Sequence, residues 1–186
     1  MLVRRHIIIA FVVILAALPA HAQRTMVGQS FIDLGVRYPV GAKVSFGQYL
    51  IPAYWMAGVE LMRQRSFLRV DGDVSYTPLD VWQAKAQGDF MYRLVSTRGR
   101  TLSLYAGAGL WVGAEKVDPL EALPPDVILD LNKDYVFVFG GTPRIEAEIF
   151  MGNHVALVIG GQLPLAVFSQ IRILSMQATA GLRIAF

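Results

Sequence analysis

Arg144, Glu146 and Glu148 stand two residues apart, and on an extended strand that spacing places all three side chains on one face. Two carboxylates side by side are raw material for acid–base chemistry. A cation stands beside them, however, and further ionisable residues recur at Asp33, Arg37, Glu60, Lys85, Asp89, Glu115 and Arg183. Both signs occur in comparable number, which is the composition of a salt-bridge network rather than of a catalytic carboxylate dyad.

Other catalytic and ligating sets are poorly supplied. Of the 3 histidines, His6 and His21 lie in a leader-like N-terminus and His154 at a short turn, so a histidine working with a hydroxyl or carboxylate has no constellation to join. The chain has no cysteine, which removes disulfides, thiolate metal sites and a thiol nucleophile. Asp71, Asp73 and Ser75 have the spacing of a calcium loop, but Tyr76 stands where glycine is needed and Trp82 where the bidentate glutamate belongs. Gly107, Gly109 and Gly113 lack phosphate-loop spacing. The expectation is a protein with no catalytic site, metal or cofactor. Its charged residues Asp33, Arg37, Glu60, Lys85, Asp89, Arg144, Glu146, Glu148 and Arg183 then form one enclosed network, as a plug or as a narrow polar pathway.

Strands must position such a network. Over Met176 to Phe186, Met176, Ala178, Ala180, Leu182, Ile184 and Phe186 share one face, and Gln177, Thr179, Gly181, Arg183 and Ala185 the other. The same period of two predicts strands over Gln29–Tyr38, Ala42–Leu50, Tyr54–Arg63, Trp82–Tyr92, Thr101–Glu115, Tyr135–Phe150 and His154–Val167, with Gly140, Gly141 and Pro143 marking a bend or bulge. Gln48 interrupts the apolar row of the second strand. Eight strands are the usual minimum for a membrane barrel, and their interior is filled by side chains. Turns near Pro52, Gly99 and Asn153 are short and fall on one rim; the polar loop Gln64–Pro78 and the loop Lys116–Asp134 fall on the other, as in outer-membrane barrels. The fold class expected is all-β, an eight-stranded antiparallel up-and-down transmembrane barrel. A soluble ligand-binding barrel would reverse the faces. Mixed charge and glycine on the polar faces, and Trp55, Trp82, Tyr92, Tyr135 and Phe186 near strand ends on the apolar ones, favour lipid outside.

Composition agrees. Only 17% of the 186 residues are charged while 54% are hydrophobic, yet beyond the N-terminus no apolar run is long enough for a membrane helix. Residues 1–22 have the form of a secretory signal peptide: Arg4 and Arg5, an apolar core from Ile7 to Leu18, then Ala20-His21-Ala22. Its removal leaves residues 23–186 as the barrel domain, and losing Arg4 and Arg5 takes the formal charge from +3 to about +1. Nothing there demands a nucleic acid partner. Localisation in a bacterial outer membrane, with lipid as the surrounding medium, follows. The second long loop carries Leu120, Leu123, Val127, Ile128 and Leu131, apolar content excessive for a solvated loop. It either folds over the barrel mouth or docks on another protein.

Several blocks also carry a family resemblance: Gln23-Arg24 before a glycine-led first strand, RTLSLYAGAG at 100–109, IFMGNHVALVIGGQ at 149–162, and AGLRIAF at 180–186. Together they resemble the TraO family of conjugative transposon proteins from Bacteroidetes. The resemblance implies a non-catalytic outer-membrane anchor or docking part of a conjugative DNA-transfer apparatus, with other conjugation proteins as partners. The alternative is a small general outer-membrane protein for adhesion or limited solute passage.

Overall fold

The computed structural model describes residues 26–69, 76–119, 135–167 and 176–186. Among them nine strands run in order: β1 Ser30–Tyr38, β2 Val40–Tyr49, β3 Ala53–Arg69, β4 Tyr76–Ser96, β5 Leu102–Pro119, β6 Val136–Phe150, β7 Val155–Gln162, β8 Leu165–Val167 and β9 Gln177–Ala185. β1 to β7 pair antiparallel in chain order, β8 pairs with β6, and β9 pairs with both β7 and β1, so the sheet closes on itself. β7 and β8 occupy one position around the barrel, both on the edge of β6. The result is an eight-stranded closed antiparallel barrel.

Alternation decides which residues face where. Outward are Val36, Val59, Leu61, Leu110 and Phe137, all exposed to 60% or more, together with Trp55, Trp82, Tyr92, Tyr135 and Phe186 near the rims. Inward are Asp33, Arg37, Glu60, Lys85 and Arg183, each buried. This arrangement inverts a lipocalin-like barrel: an apolar outer belt meets lipid and polar groups fill the centre.

The structure revises several boundaries. Gln64–Pro78, expected as an exposed loop, is largely strand: the β3–β4 ladder continues from Gln64 opposite Val81 to Arg69 opposite Tyr76. The reason is an inversion of pattern above the lipid belt. There the outward residues become polar (Arg63, Arg65, Asp80) while the inward Leu79 and Val81 are apolar, so greasy-out alternation no longer marks the strand. β5 likewise continues through Pro119. Of the bend or bulge expected in β6, the bulge is absent from its pairing with β5, which keeps one unbroken register from Leu102–Ile149 to Glu115–Val136. The break lies in the partner, at Leu163 and Pro164 between β7 and β8. Pro143 and Pro164 both lack an N–H, and the Leu163 amide donates to the Pro143 carbonyl at 3.0 Å. A register shift also separates Arg93 and Val95 in β4. Gln48, the interruption in β2, donates through Nε2 to the Gly28 carbonyl at 2.9 Å. The loop residues Leu120, Leu123, Val127, Ile128 and Leu131, and the leader 1–22, lie outside the described residues.

Rim assignment follows from the connections. The β2–β3, β4–β5 and β6–β7 turns share a rim with both ends of the barrel chain, and all three are short. β1 turns into β2 through Pro39 alone at the opposite rim, whereas β3, β4 and β5 run on past that level. One side of the wall is therefore taller than the other.

Candidate functional site

The inward residues fill the barrel in layers. At the rim bearing the chain ends, Phe31, Tyr49, Tyr54, Met91, Tyr105 and Phe150 form a cluster. Their rings meet largely edge to face: Phe31 with Tyr54 at 5.5 Å and Tyr54 with Tyr105 at 4.9 Å between centroids. These are favoured aromatic geometries, and the layer closes that end of the lumen.

Above the aromatic layer, Arg183 sits at the centre, fully buried. β9 positions it opposite Asp33 of β1 and Ala156 of β7. Its guanidinium stacks over Phe31 at 4.3 Å and Tyr54 at 4.5 Å. Nη1 donates to Glu148 Oε1 at 3.1 Å, and Nη2 to Glu146 Oε1 at 2.6 Å and Asp33 Oδ2 at 3.1 Å. Three carboxylates around one arginine leave a charge deficit, which Arg144 offsets. Arg144 reaches Glu146 Oε2 at 2.6 Å and Asp89 Oδ2 at 3.4 Å, and Lys43 stands 3.6 Å from Asp33. Tyrosine hydroxyls complete the shell: Tyr54 donates to Glu146 at 2.6 Å and Tyr49 to Glu148. Gln87 donates to Asp89 at 2.6 Å.

A second group lies nearer the opposite rim. Arg37 pairs with Glu60 at 2.9 Å, and Arg37 and Gln162 both donate to Gln177 Oε1, at 3.5 and 2.8 Å. Lys85 lies 4.8 Å above the Trp111 ring, a cation–π contact inside the wall. Higher still, Gln83 donates to Glu115 at 2.5 Å. Asp33, Glu146, Glu148, Arg183, Arg144 and Asp89 thus form one connected cluster, with Arg37–Glu60 and Lys85 in separate contacts. A cavity of about 10 Å³ beside Gly35 and Gly181, lined by Asp33, Arg37, Lys43 and Arg144, is water-sized.

Sequence reasoning missed Lys43, Tyr49 and Tyr54. The period of two could have found each: Lys43 and Tyr49 share parity with Ser45, and Tyr54 alternates with the outward Trp55. Close approaches at two glycines leave no space for a side chain. A Cβ on Gly109 would lie 2.1 Å from Asp89 Oδ1, and one on Gly140 would lie 1.9 Å from the Leu165 carbonyl oxygen, so neither position admits a side chain without displacement.

Energetically, such a network specifies more than it stabilises. Desolvating buried charges offsets most of their mutual attraction. A one-residue slip of β1, β2, β4, β6 or β9, however, would turn an inward arginine or lysine into lipid at about 2–4 kcal/mol near the midplane and strand its partners. The network locks the register. Chemically, each carboxylate of the Arg183 cluster is engaged by a cation or a hydroxyl. His154 Nδ1 lies 3.0 Å from the Ala185 carbonyl oxygen, a tether at the terminal rim.

A family model described as conjugative transposon protein TraO matches residues 27–186. No curated protein is similar enough in sequence to match the chain. Among solved structures, the N-terminal β-barrel domain of Pseudomonas aeruginosa OprF superposes with a TM-score of 0.53 at 12% identity, covering 86% of this chain and 98% of that one. Ail, the attachment invasion locus protein of Yersinia pestis, gives 0.48 at 12% identity, over 87% and 100%. Neisserial surface protein A gives 0.48 at 12%, over 85% and 95%. The OprF likeness is one of fold.

Proposed function

We propose, because the chain belongs to the family of conjugative transposon protein TraO, that it is a non-catalytic outer-membrane component of a conjugative DNA-transfer apparatus, serving as an anchor or docking part. The observation that carries this reading is the filled interior. An aromatic layer and a network of paired charges occupy the lumen, which leaves the rims and the outer wall to meet partners. The same occupancy supports a non-catalytic role, since the carboxylates of the Arg183 cluster serve as acceptors in a fixed network. Export through the 1–22 leader would deliver the barrel to the outer membrane, with mature protein starting at Gln23. Leu120, Leu123, Val127, Ile128 and Leu131 form the partner-facing segment in this reading.

The test is cross-linking in donor cells, purification of the tagged chain from outer membranes, and mass spectrometry of what accompanies it. Other transfer proteins should copurify, and replacing those five residues by serine should remove them and lower transfer frequency while the barrel stays folded. If no transfer protein copurifies and the purified barrel gives conductance steps in planar bilayers, the reading fails. A general outer-membrane protein for adhesion or limited solute passage then replaces it.

A further inference from the structure

On the outer wall of β3, β4 and β5, just beyond the apolar belt, one row stands straight across three strands: Arg63 opposite Trp82, and Trp82 opposite Lys116. All three side chains point outward. The next row toward the membrane centre is Leu61, Ala84 and Ala114. Its two alanines are too small to fill the wall, and a hollow of about 370 Å³ results, sided by Leu61, Trp82 and Tyr135 and lipped by Lys116 and Asp118.

The two cations of the upper row are held differently. Asp80 takes Nε and Nη2 of Arg63 at distances from 2.6 to 3.0 Å, and the guanidinium lies 4.9 Å from the centre of the Trp82 ring. That clamp fixes a flexible side chain over an aromatic face and still leaves it 49% exposed. Lys116 meets Asp118 at 3.1 Å with both side chains at least a third exposed, a surface pair of the kind worth little. A phosphate oxygen competes with Asp118 for the Lys116 ammonium through a charge-assisted bond. Two strand spacings, roughly 10 Å, separate the backbones bearing these cations, a span that two long side chains close around one phosphate.

We propose that the hollow binds one phosphate-bearing, acylated membrane lipid, its phosphate bridging Arg63 and Lys116 above Trp82 and one acyl chain lying over Ala84 and Ala114. The occupant follows from continuity with the wall that lipid already covers. The hollow opens at the depth where aromatic belts meet headgroups, and such a lipid brings both the anion and the chain. Inorganic phosphate lacks the chain, and a neutral diacylglycerol lacks the charge.

The folded barrel in detergent micelles is titrated separately with dioleoyl phosphatidylglycerol, dioleoylglycerol and inorganic phosphate, and bound molecules are counted by native mass spectrometry. One phosphatidylglycerol should bind about tenfold or more tightly than either fragment. Lys116→Gln should weaken it about tenfold, and Ala84→Leu, which fills the hollow from the lipid side, should weaken it comparably. Val36→Leu on the far wall should change nothing. Heat-dependent gel migration verifies that each variant is folded, and Ala114→Leu replaces Ala84→Leu if the latter is not. Equal binding of dioleoylglycerol, full displacement by inorganic phosphate, or unchanged phosphatidylglycerol binding in the hollow-filling variant would each overturn the proposal.

Discussion

Arg183 and Tyr54 donate to the same atom, Oε1 of Glu146, at 2.6 Å each, while the guanidinium stacks 4.5 Å from the tyrosine ring centre. A single carboxylate oxygen therefore joins the aromatic layer at one rim to the charge network above it.

Removing the guanidinium should be the most damaging single change in the lumen. Arg183→Met leaves Asp33, Glu146 and Glu148 buried and short of a cation, a loss of about 3–5 kcal/mol. Tyr54→Phe removes one hydrogen bond to a charged acceptor and should cost about 1.5–3 kcal/mol. Urea unfolding in micelles measures both, and a smaller effect for Arg183→Met than for Tyr54→Phe would contradict the central place given to the arginine.

Gly109→Val tests the packing argument independently of charge. Its Cβ would collide with Asp89 Oδ1 and push Asp89 off Gln87 and Arg144. The expected result is a barrel that folds slowly or fails to gain heat-resistant migration on a gel. Gly88→Val is the control: an added Cβ there meets nothing within 4 Å, and the variant should fold normally.

On the outer wall, Val59 is 60% exposed and lies in the middle of the apolar belt. Val59→Arg should destabilise the barrel by about 2–4 kcal/mol in a bilayer, the cost of a cation near the midplane. Arg65, outward on the same strand but beyond the belt, should tolerate Leu or Lys with little effect. Refolding into vesicles under a urea gradient separates the two. Equal tolerance at both positions would mean that lipid does not cover Val59.

The Arg63–Asp80 clamp sets a pH dependence beyond the membrane-spanning part. Hydrogen bonds from Arg63 hold the Asp80 carboxyl below the usual carboxylate value, with Trp82 adding a further bond. A depressed folded-state pKa contributes stability that is present above the unfolded value of about 3.9 and is lost as pH falls through the lower folded one. Acid titration followed by Trp82 emission should therefore show a transition below pH ~4, absent in Asp80→Asn. A transition of the same size in Asp80→Asn would assign it to another group.

Much of this barrel is legible in its sequence, and the reason is the medium. Where lipid covers the wall, every second residue must be apolar, so the parity of Leu34, Val36, Leu182 and Ile184 fixes which way Asp33, Arg37 and Arg183 face. Legibility stops where lipid stops. Just beyond Arg63 and Trp82 the outward Arg65 and Asp80 are polar and the inward Leu79 and Val81 apolar, and the ladder to Arg69 reads as loop although its backbone pairing continues unchanged. Pairing partners inside the lumen are equally silent: nothing in the spacing of Tyr54 and Glu146 says that they meet, because they come from strands on different sides of the cylinder. Lys43 was within reach of parity, but a strand read from its outward row alone leaves the inward row uncounted.

The gap between β7 and β8 bears on how the wall comes apart. A closed cylinder has no loose end from which to peel, so disassembly has to begin by tearing somewhere along its height, and the tear starts where the fewest stitches hold. Beside Pro143 and Pro164 two amide hydrogens are missing on adjoining levels, and the Leu163 amide bridges the gap. Deuterium should enter the amides flanking that spot before those of the Leu34–Leu182 seam, which makes the neighbourhood of Pro164 a zip-end in the wall.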